Sequence, residues 1–347
     1  MQEIILGGGH ICHFDDVISV ENLLKAWREF SKGKRSKQDV IRFELKLEEN
    51  LFDLHRFLKE ENWKPDPYQI FFVRDPKLRE IHKASVRDRV LYQAIYRILY
   101  PIFDSSFIFH SYSSRKEKGT HLGVKNFSKF SRKISKNWKI VGYSLKCDIR
   151  KFFDSINHEI LLNLIRKKVS DEKLLKLLEK IIFSFEKTAS RGLPLGNVTS
   201  QLFSNIYLNE LDQFVKKSLK ARYYLRYCDD FVILNQSADE LKFCLEKVRA
   251  FCIENLLLEL HPRKIEIRKL HLGIDFLGYV SLSNYTILRT RTKNRMLGRL
   301  SDLKIDFKNG KIEENKIKSV VSSYLGLLKH CNSYKIRKEI RDDFNLH

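Results

Sequence analysis

Two adjacent carboxylates between two apolar runs are the feature that most restricts how this chain can fold. The runs on either side of Asp229 and Asp230 read RYYLRYC and FVILNQS, and their aromatic and β-branched residues are typical of buried strands. Strands separated by so few polar residues pair as a hairpin, whose tip usually carries Asn-Gly or Asp-Gly. We therefore predict a β-hairpin that presents two aspartates at its tip.

These neighbouring carboxylates repel each other and gain nothing from packing, so they require a cation. Oxygen ligands on a rigid turn suit Mg²⁺, which binds one or two carboxylates while substrate phosphates complete its shell. The alternative is an exposed acidic turn. The position of Asp148 favours a metal site over an exposed turn, because this residue ends a second apolar run, IVGYSLKCD, in a basic stretch. Carboxylates on two strands match two-metal phosphoryl transfer, in which one ion activates the attacking oxygen and the other stabilises the leaving pyrophosphate.

The charge of the chain indicates a polyanionic partner. Lys and Arg number 65 against 43 Asp and Glu, a net charge of +22, which favours nucleic acid. The excess is concentrated in 115–146, where Glu117 is the only acidic residue, and in 286–347. Two such stretches favour a groove along a phosphate backbone, and solvated helix faces are the alternative. The predicted nucleic-acid contacts are Arg115, Lys129, Arg132, Lys133, Lys136, Arg289, Arg291, Lys293 and Arg295.

Periodicity predicts a mixture of helices and strands without βαβ regularity, which is typical of the α+β class. Hydrophobic residues make up 43% of the chain, enough for a core, and no apolar run reaches the ~18 residues that span a bilayer. We expect a cytoplasmic protein that does not bind membranes. The predicted elements are helices over 21–62, a hairpin over 69–83, a helix ending near Pro101, a strand up to Asp148, helices over 158–186, a strand within 273–282 and helices beyond 290.

Over about residues 70–285 the chain resembles the reverse transcriptases, in sequence blocks that follow the family's order. Among them are a YxDD box and the first motif of the palm. The blocks are GTHLGV at 119–124, CDIRKFFDSI at 147–156, GLPLGNVTSQLFSNIYLNELD at 192–212, YCDDF at 227–231 and GIDFLGY at 273–279.

The resemblance implies a right-hand polymerase fold, with fingers over 1–140, a palm over 141–285 and a small helical basic thumb over 286–347. It implies RNA-directed DNA polymerase activity, with template RNA, the cDNA/RNA hybrid and dNTPs as ligands. Two Mg²⁺ ions, with Mn²⁺ as an alternative, are then bound by Asp148 and Asp229, supported by Asp230 and by the backbone of Ile149 beside the triphosphate.

Other roles in nucleotide binding follow from the same resemblance. Phe153, five residues after Asp148, corresponds to the steric gate that excludes a ribose 2′-OH, and a core position is the alternative. Arg79 corresponds to the basic residue of the fingers that grips the triphosphate. Lys264 lies where the family often carries a lysine that protonates pyrophosphate, and a plain groove lysine is an equal alternative. The loop residues that complete the dNTP site are Leu195, Gly196 and Gln201.

Leu195 separates subfamilies, because many retroviral and intron enzymes carry glutamine before the glycine. The aliphatic residue resembles the reverse transcriptases of diversity-generating retroelements. That resemblance implies a template-repeat RNA, cDNA mutated at template adenines and a small basic accessory variability protein as partner. Two alternatives stay open: a retron-like or defence-associated reverse transcriptase that acts on a structured noncoding RNA, and a non-catalytic RNA-binding protein on a polymerase scaffold.

Overall fold

A computed structural model describes residues 12–74 and 77–344 of the chain, and helices dominate it. Within these ranges the α-helices are α1 Phe14–Ile18, α2 Val20–Ser31, α3 Gln38–Glu44, α4 Leu47–Lys59, α5 Val86–Asp104, α6 Thr120–Ile134, α7 Phe152–Ser155, α8 His158–Arg166, α9 Glu172–Phe183, α10 Val198–Gln213, α11 Ala238–Leu256, α12 Thr290–Lys308, α13 Glu314–Leu328 and α14 Tyr334–Asp343. The strands are β1 Gln69–Arg74, β2 Leu78–Lys83, β3 Tyr143–Asp148, β4 Tyr223–Tyr227, β5 Asp230–Asn235, β6 Glu266–Lys269, β7 Ile274–Phe276, β8 Tyr279–Ser281 and β9 Thr286–Leu288.

The strands form three sheets, and their order explains where the aspartates lie. β1 pairs with β2, β7-β8-β9 form a meander, and the four-stranded sheet has the order β4-β5-β3-β6. The hairpins β1–β2, β4–β5 and β7–β8 are antiparallel, as is the pair of β3 with β6. The predicted α+β class is confirmed.

The chain forms two compact units, and each is built from separate stretches of sequence. Unit 1 contains Met1–Phe109, Asp148–Lys220 and Lys247–Pro262. It holds the β1–β2 hairpin, and its helices α2 and α5 pack together through buried apolar side chains. The side chain of Ser19 accepts a hydrogen bond from the Asn22 N–H and begins α2, and Ser85 does the same at the start of α5.

Unit 2 contains His110–Cys147, Ala221–Glu246 and Arg263–His347. Its four-stranded sheet packs beneath α6, whose Phe127 and Phe130 share a core cluster with Leu225 and Val232. A second cluster is formed by buried apolar residues of the three C-terminal helices: Met296, Leu300, Ile317, Val321, Leu328 and Ile340. Burial of one face of each element holds the unit together.

Two predicted elements differ from the structure. The helix expected to end near Pro101 continues to Asp104, because proline has a helical φ and Tyr100 and Phe103, both buried, anchor the last turn. The run 273–282 is a hairpin rather than one strand. Leu277 and Gly278 both have positive φ, 52° and 86°, and form a two-residue turn between the paired Phe276 and Tyr279.

The remaining predicted elements are confirmed: helices over 21–62 and 158–186, the hairpin over 69–83, the strand that ends in Asp148 and the C-terminal helices. Asp75 and Pro76, which separate the two runs of that hairpin in the sequence, lie outside the described residues. Among residues 12–74 and 77–344, no helix combines the length and the apolar character that crossing a bilayer requires.

Candidate active site

The β4–β5 hairpin carries Asp229 in a turn of only two residues. Tyr227 pairs with Asp230, so Cys228 and Asp229 alone reverse the chain. Cys228 has φ 55°, a left-handed conformation that is costly for a residue with a side chain and that clusters at functional sites. The strands on either side are buried, whereas Asp229 and Asp230 are half-buried. The predicted hairpin is therefore confirmed, but of the two aspartates expected at its tip only Asp229 lies in the turn, because Asp230 is the first residue of β5.

Asp148 is the last residue of β3 and is buried, with 7% of its surface exposed. Its backbone carbonyl accepts a hydrogen bond from the His261 N–H at 2.8 Å, and the Arg150 N–H donates to the Glu259 carbonyl at 2.8 Å. Ile149, between them, is buried. The chain at and after the aspartate is thus held by backbone hydrogen bonds, which fix the main chain from which its side chain extends.

The strand order joins the two acidic positions in one sheet. β3, which ends in Asp148, is the direct neighbour of β5, which begins with Asp230. Among the described residues, no group of three or more His, Cys, Asp or Glu side chains is close enough to form a ready-made metal cage. Mg²⁺ binds through one or two carboxylates and takes its remaining ligands from water and substrate phosphates. The carboxylates of Asp148, Asp229 and Asp230 are the groups at this sheet edge that could hold it.

Cys228 does not act as a thiolate at this site. Burial is the main reason that the pKa of its thiol is raised, and the neighbouring charge of Asp229 raises it further. A neutral thiol is a poor ligand for a hard cation. The carboxylates are therefore the ligands that this turn offers.

The predicted nucleotide-binding residues of the fingers and of the 192–196 loop come together in unit 1. The Leu193 N–H donates to the Phe153 carbonyl at 2.8 Å, and the His82 N–H donates to the Leu195 carbonyl at 3.3 Å. β2, which also carries Arg79, is therefore bonded through its backbone to the loop, and the loop to Phe153. Arg79 is exposed, and Phe153 and Leu195 are half-buried.

Gly196 adopts a conformation that few other residues can. Its φ is 114°, and a Cβ at this position would lie 3.3 Å from Cγ2 of Ile81. The backbone angle strongly favours glycine here, and the approach of β2 leaves little room for a Cβ. Two further predicted residues of the nucleotide site are exposed: Gln201 in the first turn of α10, and Lys264 in the turn before β6 in unit 2.

Four of the predicted nucleic-acid contacts share one surface hollow on α6. Its lining contains no acidic residue and consists of Lys125, Ser128, Lys129, Arg132, Lys133, Lys136 and Asn137. The four predicted residues are all exposed, and such a concentration of cations favours a phosphate backbone. Arg115 lies outside this hollow and donates to the Ser111 carbonyl at 3.0 Å.

The predicted contacts near the start of α12 differ from one another in ion pairing and in exposure. Arg289 precedes the helix and forms an ion pair with Asp275. Arg291 and Arg295 are exposed, and their spacing of four residues puts them on one helical face. Lys293 is half-buried.

Two residues that support these sites were not predicted from the sequence. His82 is buried, its ring centroid lies 4.5 Å from that of Phe185, and its Nε2 lies 3.2 Å from Oε1 of Glu80. Lys187 donates to Glu80 at 2.8 Å and lowers the pKa of that carboxyl. Nothing local distinguishes His82 in the sequence. Arg226, in contrast, has a signal: it is a charge inside the apolar run RYYLRYC.

Comparison with known proteins connects these features to a family. The model of the family described as reverse transcriptase (RNA-dependent DNA polymerase) matches residues 65–281. The chain is 27% identical to the protein YkfC of Escherichia coli K12 over an alignment of 261 positions that covers 63% of this chain and 67% of that protein. It is 28% identical over 178 residues to the group II intron-encoded protein LtrA of Lactococcus lactis subsp. cremoris, 48% of this chain but only 28% of that longer protein.

Solved structures with a related backbone include telomerases. A truncated apo telomerase from Candida tropicalis has a TM-score of 0.47 and 15% identity, covering 69% of this chain and 59% of that chain. Telomerase from Candida albicans, in complex with a fragment of telomeric RNA, has a TM-score of 0.48 and 12% identity, covering 82% and 61%.

Proposed function

The chain belongs to the reverse transcriptase (RNA-dependent DNA polymerase) family, and from this premise we propose that it copies an RNA template into DNA by adding dNMPs to a 3′-OH. The observation that carries the proposal is the acidic sheet edge. β3 ends in Asp148, its neighbour β5 begins with Asp230, and Asp229 occupies the turn before β5. A mixed fold with antiparallel sheets agrees with the right-hand architecture expected of the family. Within it we propose fingers over 1–140, a palm over 141–285 and a thumb over 286–347.

The carboxylates would hold the divalent ions, two Mg²⁺ or alternatively Mn²⁺. Asp148 and Asp229 are the ligands, and Asp230 and the Ile149 backbone support them. When bound, the ions lower the pKa of the primer 3′-OH and neutralise the charge that develops on pyrophosphate. The strained turn at Cys228 and the backbone bond at Asp148 keep both carboxylates in place before the metals bind, so little reorganisation is needed during the reaction.

The bonded loop of unit 1 would hold the incoming dNTP. Arg79 on β2 binds the triphosphate, Phe153 lies beside the sugar, and Leu195 and Gly196 contact the base pair. Gln201 and Lys264 complete the set, the latter as a proton donor to pyrophosphate. The hydrogen bonds from Leu193 to Phe153 and from His82 to Leu195 support this proposal, because they tie the proposed triphosphate, sugar and base contacts to one backbone frame.

Removing a metal ligand tests the polymerase proposal directly. Asp229→Ala and Asp148→Ala should each reduce primer extension on an RNA template in Mg²⁺ by at least ~1,000-fold, since the ions supply several kcal/mol at the transition state. RNA binding and the melting temperature should change little. Asp239→Ala is the control, because this aspartate is exposed on α11.

Two results would contradict the proposal. Extension close to the wild-type rate by either variant would remove the two-metal assignment. A wild-type protein that binds RNA tightly but extends no primer on any template would favour the non-catalytic RNA-binding alternative.

More specifically, we propose that the enzyme diversifies sequence, copying a retroelement template RNA with frequent errors at adenines and working with a small basic accessory protein. The aliphatic Leu195 supports this. It is half-buried, and its carbonyl accepts a hydrogen bond from His82, so we assign the contact with the nascent pair to its side chain. Leucine offers no hydrogen bond there, and discrimination against a mispair should fall by the ~1–3 kcal/mol of one buried polar contact.

Sequencing of cDNA tests this proposal. Wild type and Leu195→Gln would copy the same adenine-containing RNA, and the glutamine should lower misincorporation opposite adenine by one to two decades, as that energy implies. The bond from His82 uses the backbone and survives the substitution, so melting temperatures should agree. A uniformly accurate wild-type enzyme would instead favour a retron-like or defence-associated reverse transcriptase.

A further inference from the structure

Arg226 is a charged residue inside a buried strand, β4. None of its surface is exposed, and its neighbours Tyr224 and Leu225 are also completely buried. Taking a guanidinium out of water is costly unless hydrogen bonds replace its hydration. One of its bonds leads to the acidic turn, because NH1 donates to the backbone carbonyl of Cys228 at 3.1 Å.

The backbone of Arg226 is fixed on both sides. It pairs with Phe231 of β5. On its other side, its N–H donates to the His110 carbonyl at 2.9 Å, and its carbonyl accepts from the Tyr112 N–H at 2.9 Å. The backbone from which the side chain extends is therefore held on both sides. Through its hydrogen bond to the Cys228 carbonyl, the guanidinium in turn holds the peptide group that joins Cys228 to Asp229.

This peptide group needs such support. Cys228 has φ 55°, and a non-glycine residue keeps that conformation only where its surroundings enforce it. Because the peptide plane between Cys228 and Asp229 sets the φ of Asp229, a bond to the Cys228 carbonyl limits the directions open to the Asp229 carboxylate.

We propose that Arg226 is a positioning residue for metal binding, which orients the Asp229 carboxylate through the Cys228 carbonyl. The inference rests on the proposed function. Mg²⁺ demands nearly ideal octahedral geometry, so a loosened turn should weaken Mg²⁺ binding more than Mn²⁺ binding, since Mn²⁺ binds the same ligands more readily. A residue of purely structural importance would instead reduce stability or the active fraction without changing the metal requirement.

The test is a metal titration of the full chain with two readouts: primer extension, and the direct binding of Mg²⁺ or Mn²⁺ measured by calorimetry in the absence of dNTP. Arg226→Lys keeps the charge but loses the planar fork that reaches the carbonyl, and Arg226→Met removes the charge. Each should raise the Mg²⁺ concentration for half-maximal activity by roughly 10–100-fold, the usual effect of losing a group that orients a metal ligand. Mn²⁺ should recover part of the rate.

Val232→Ala is the matched control. Val232 is completely buried on β5 in the same unit, so its truncation lowers the melting temperature without touching the turn. It should leave the Mg²⁺ requirement at the wild-type value.

The outcomes separate this inference from the proposed function. A wild-type enzyme without metal-dependent extension contradicts the proposed function. An active wild type together with an unchanged Mg²⁺ requirement in Arg226→Lys overturns the positioning role alone. If Arg226→Met does not fold, the Mg²⁺ requirement of Arg226→Lys tests the inference. If the lysine variant does not fold either, the inference is overturned, because Arg226 would then be needed for folding rather than for metal binding.

Discussion

The basic hollow on α6 allows a quantitative prediction about RNA binding. We would reverse the charge of the four predicted contacts that line it, Lys129, Arg132, Lys133 and Lys136, to glutamate. All four are exposed, so the substitutions change charge without opening the core. Because three of them, Arg132, Lys133 and Lys136, lie in or just beyond the last turn of α6, the unfavourable interaction with the helix dipole should cost ~1 kcal/mol of folding stability.

The expected effect on binding follows from counterion release. Each phosphate that a side chain neutralises contributes about −0.7 to −0.9 to the slope of log K against log salt. If each of the four side chains meets one phosphate, the reversal should flatten the slope by about 3. Between 50 and 200 mM salt the wild type should then lose about 60-fold more affinity than the variant.

Fluorescence anisotropy with a labelled RNA, repeated at several salt concentrations, measures the slope. The charge-matched control reverses the exposed lysines Lys59, Lys173, Lys176 and Lys180 of unit 1, none of which is a predicted contact. The weakening should be similar for unrelated RNA sequences, since phosphates carry no sequence information. Equal slopes for the wild type and the α6 variant would refute the reasoning and make the hollow a solvated face.

Three further predictions concern individual positions. Phe153→Ala keeps the backbone bond to the loop, so the protein should fold while rNTPs compete better with dNTPs in primer extension; an unfolded variant would indicate a core role. Gly196→Ala forces a side chain onto φ 114° at 3.3 Å from a neighbouring side chain and should cost ~1–3 kcal/mol, seen as a lower melting temperature or a higher KM for dNTP. Gly119→Ala is the control: its φ is 122° and a Cβ there would meet open space, so its melting temperature should fall while the KM for dNTP stays unchanged. Equal changes of KM in the two variants would contradict a contact between Gly196 and the dNTP. Asp88→Ala removes an acceptor from the buried Trp63 indole N–H and should lower the free energy of unfolding by ~2–4 kcal/mol in urea titration, whereas a loss below ~0.5 kcal/mol would show that water replaces the carboxylate.

Local sequence predicted most of the elements because their causes are local. The β4–β5 hairpin follows from two apolar runs with a two-residue polar break, and the C-terminal helices follow from the spacing of their apolar residues. Prediction failed where distant contacts decide. Pro101 does not end α5, because Tyr100 and Phe103 are buried around it. The run 273–282 divides at Leu277, whose left-handed conformation no local preference for leucine predicts.

The sequence by itself was enough to predict the chemistry proposed for this protein. Asp148, Asp229 and Asp230 are recognisable from their positions at the ends of apolar runs, and the net charge of +22 indicates nucleic acid. These signals are readable because adjacent carboxylates repel each other unless a cation neutralises them, and because a large excess of like charge attracts a polyanion.

Only the tertiary structure decided how the candidate site is held. The order β4-β5-β3-β6 makes β3 the neighbour of β5, and the bonds from His82 to Leu195 and from Arg226 to Cys228 support the loop and the acidic turn. The first bond joins residues more than a hundred positions apart. In the second, the partner is a backbone carbonyl, which every residue carries. Neither bond leaves a pattern in the sequence, because its geometry exists only after the chain has folded.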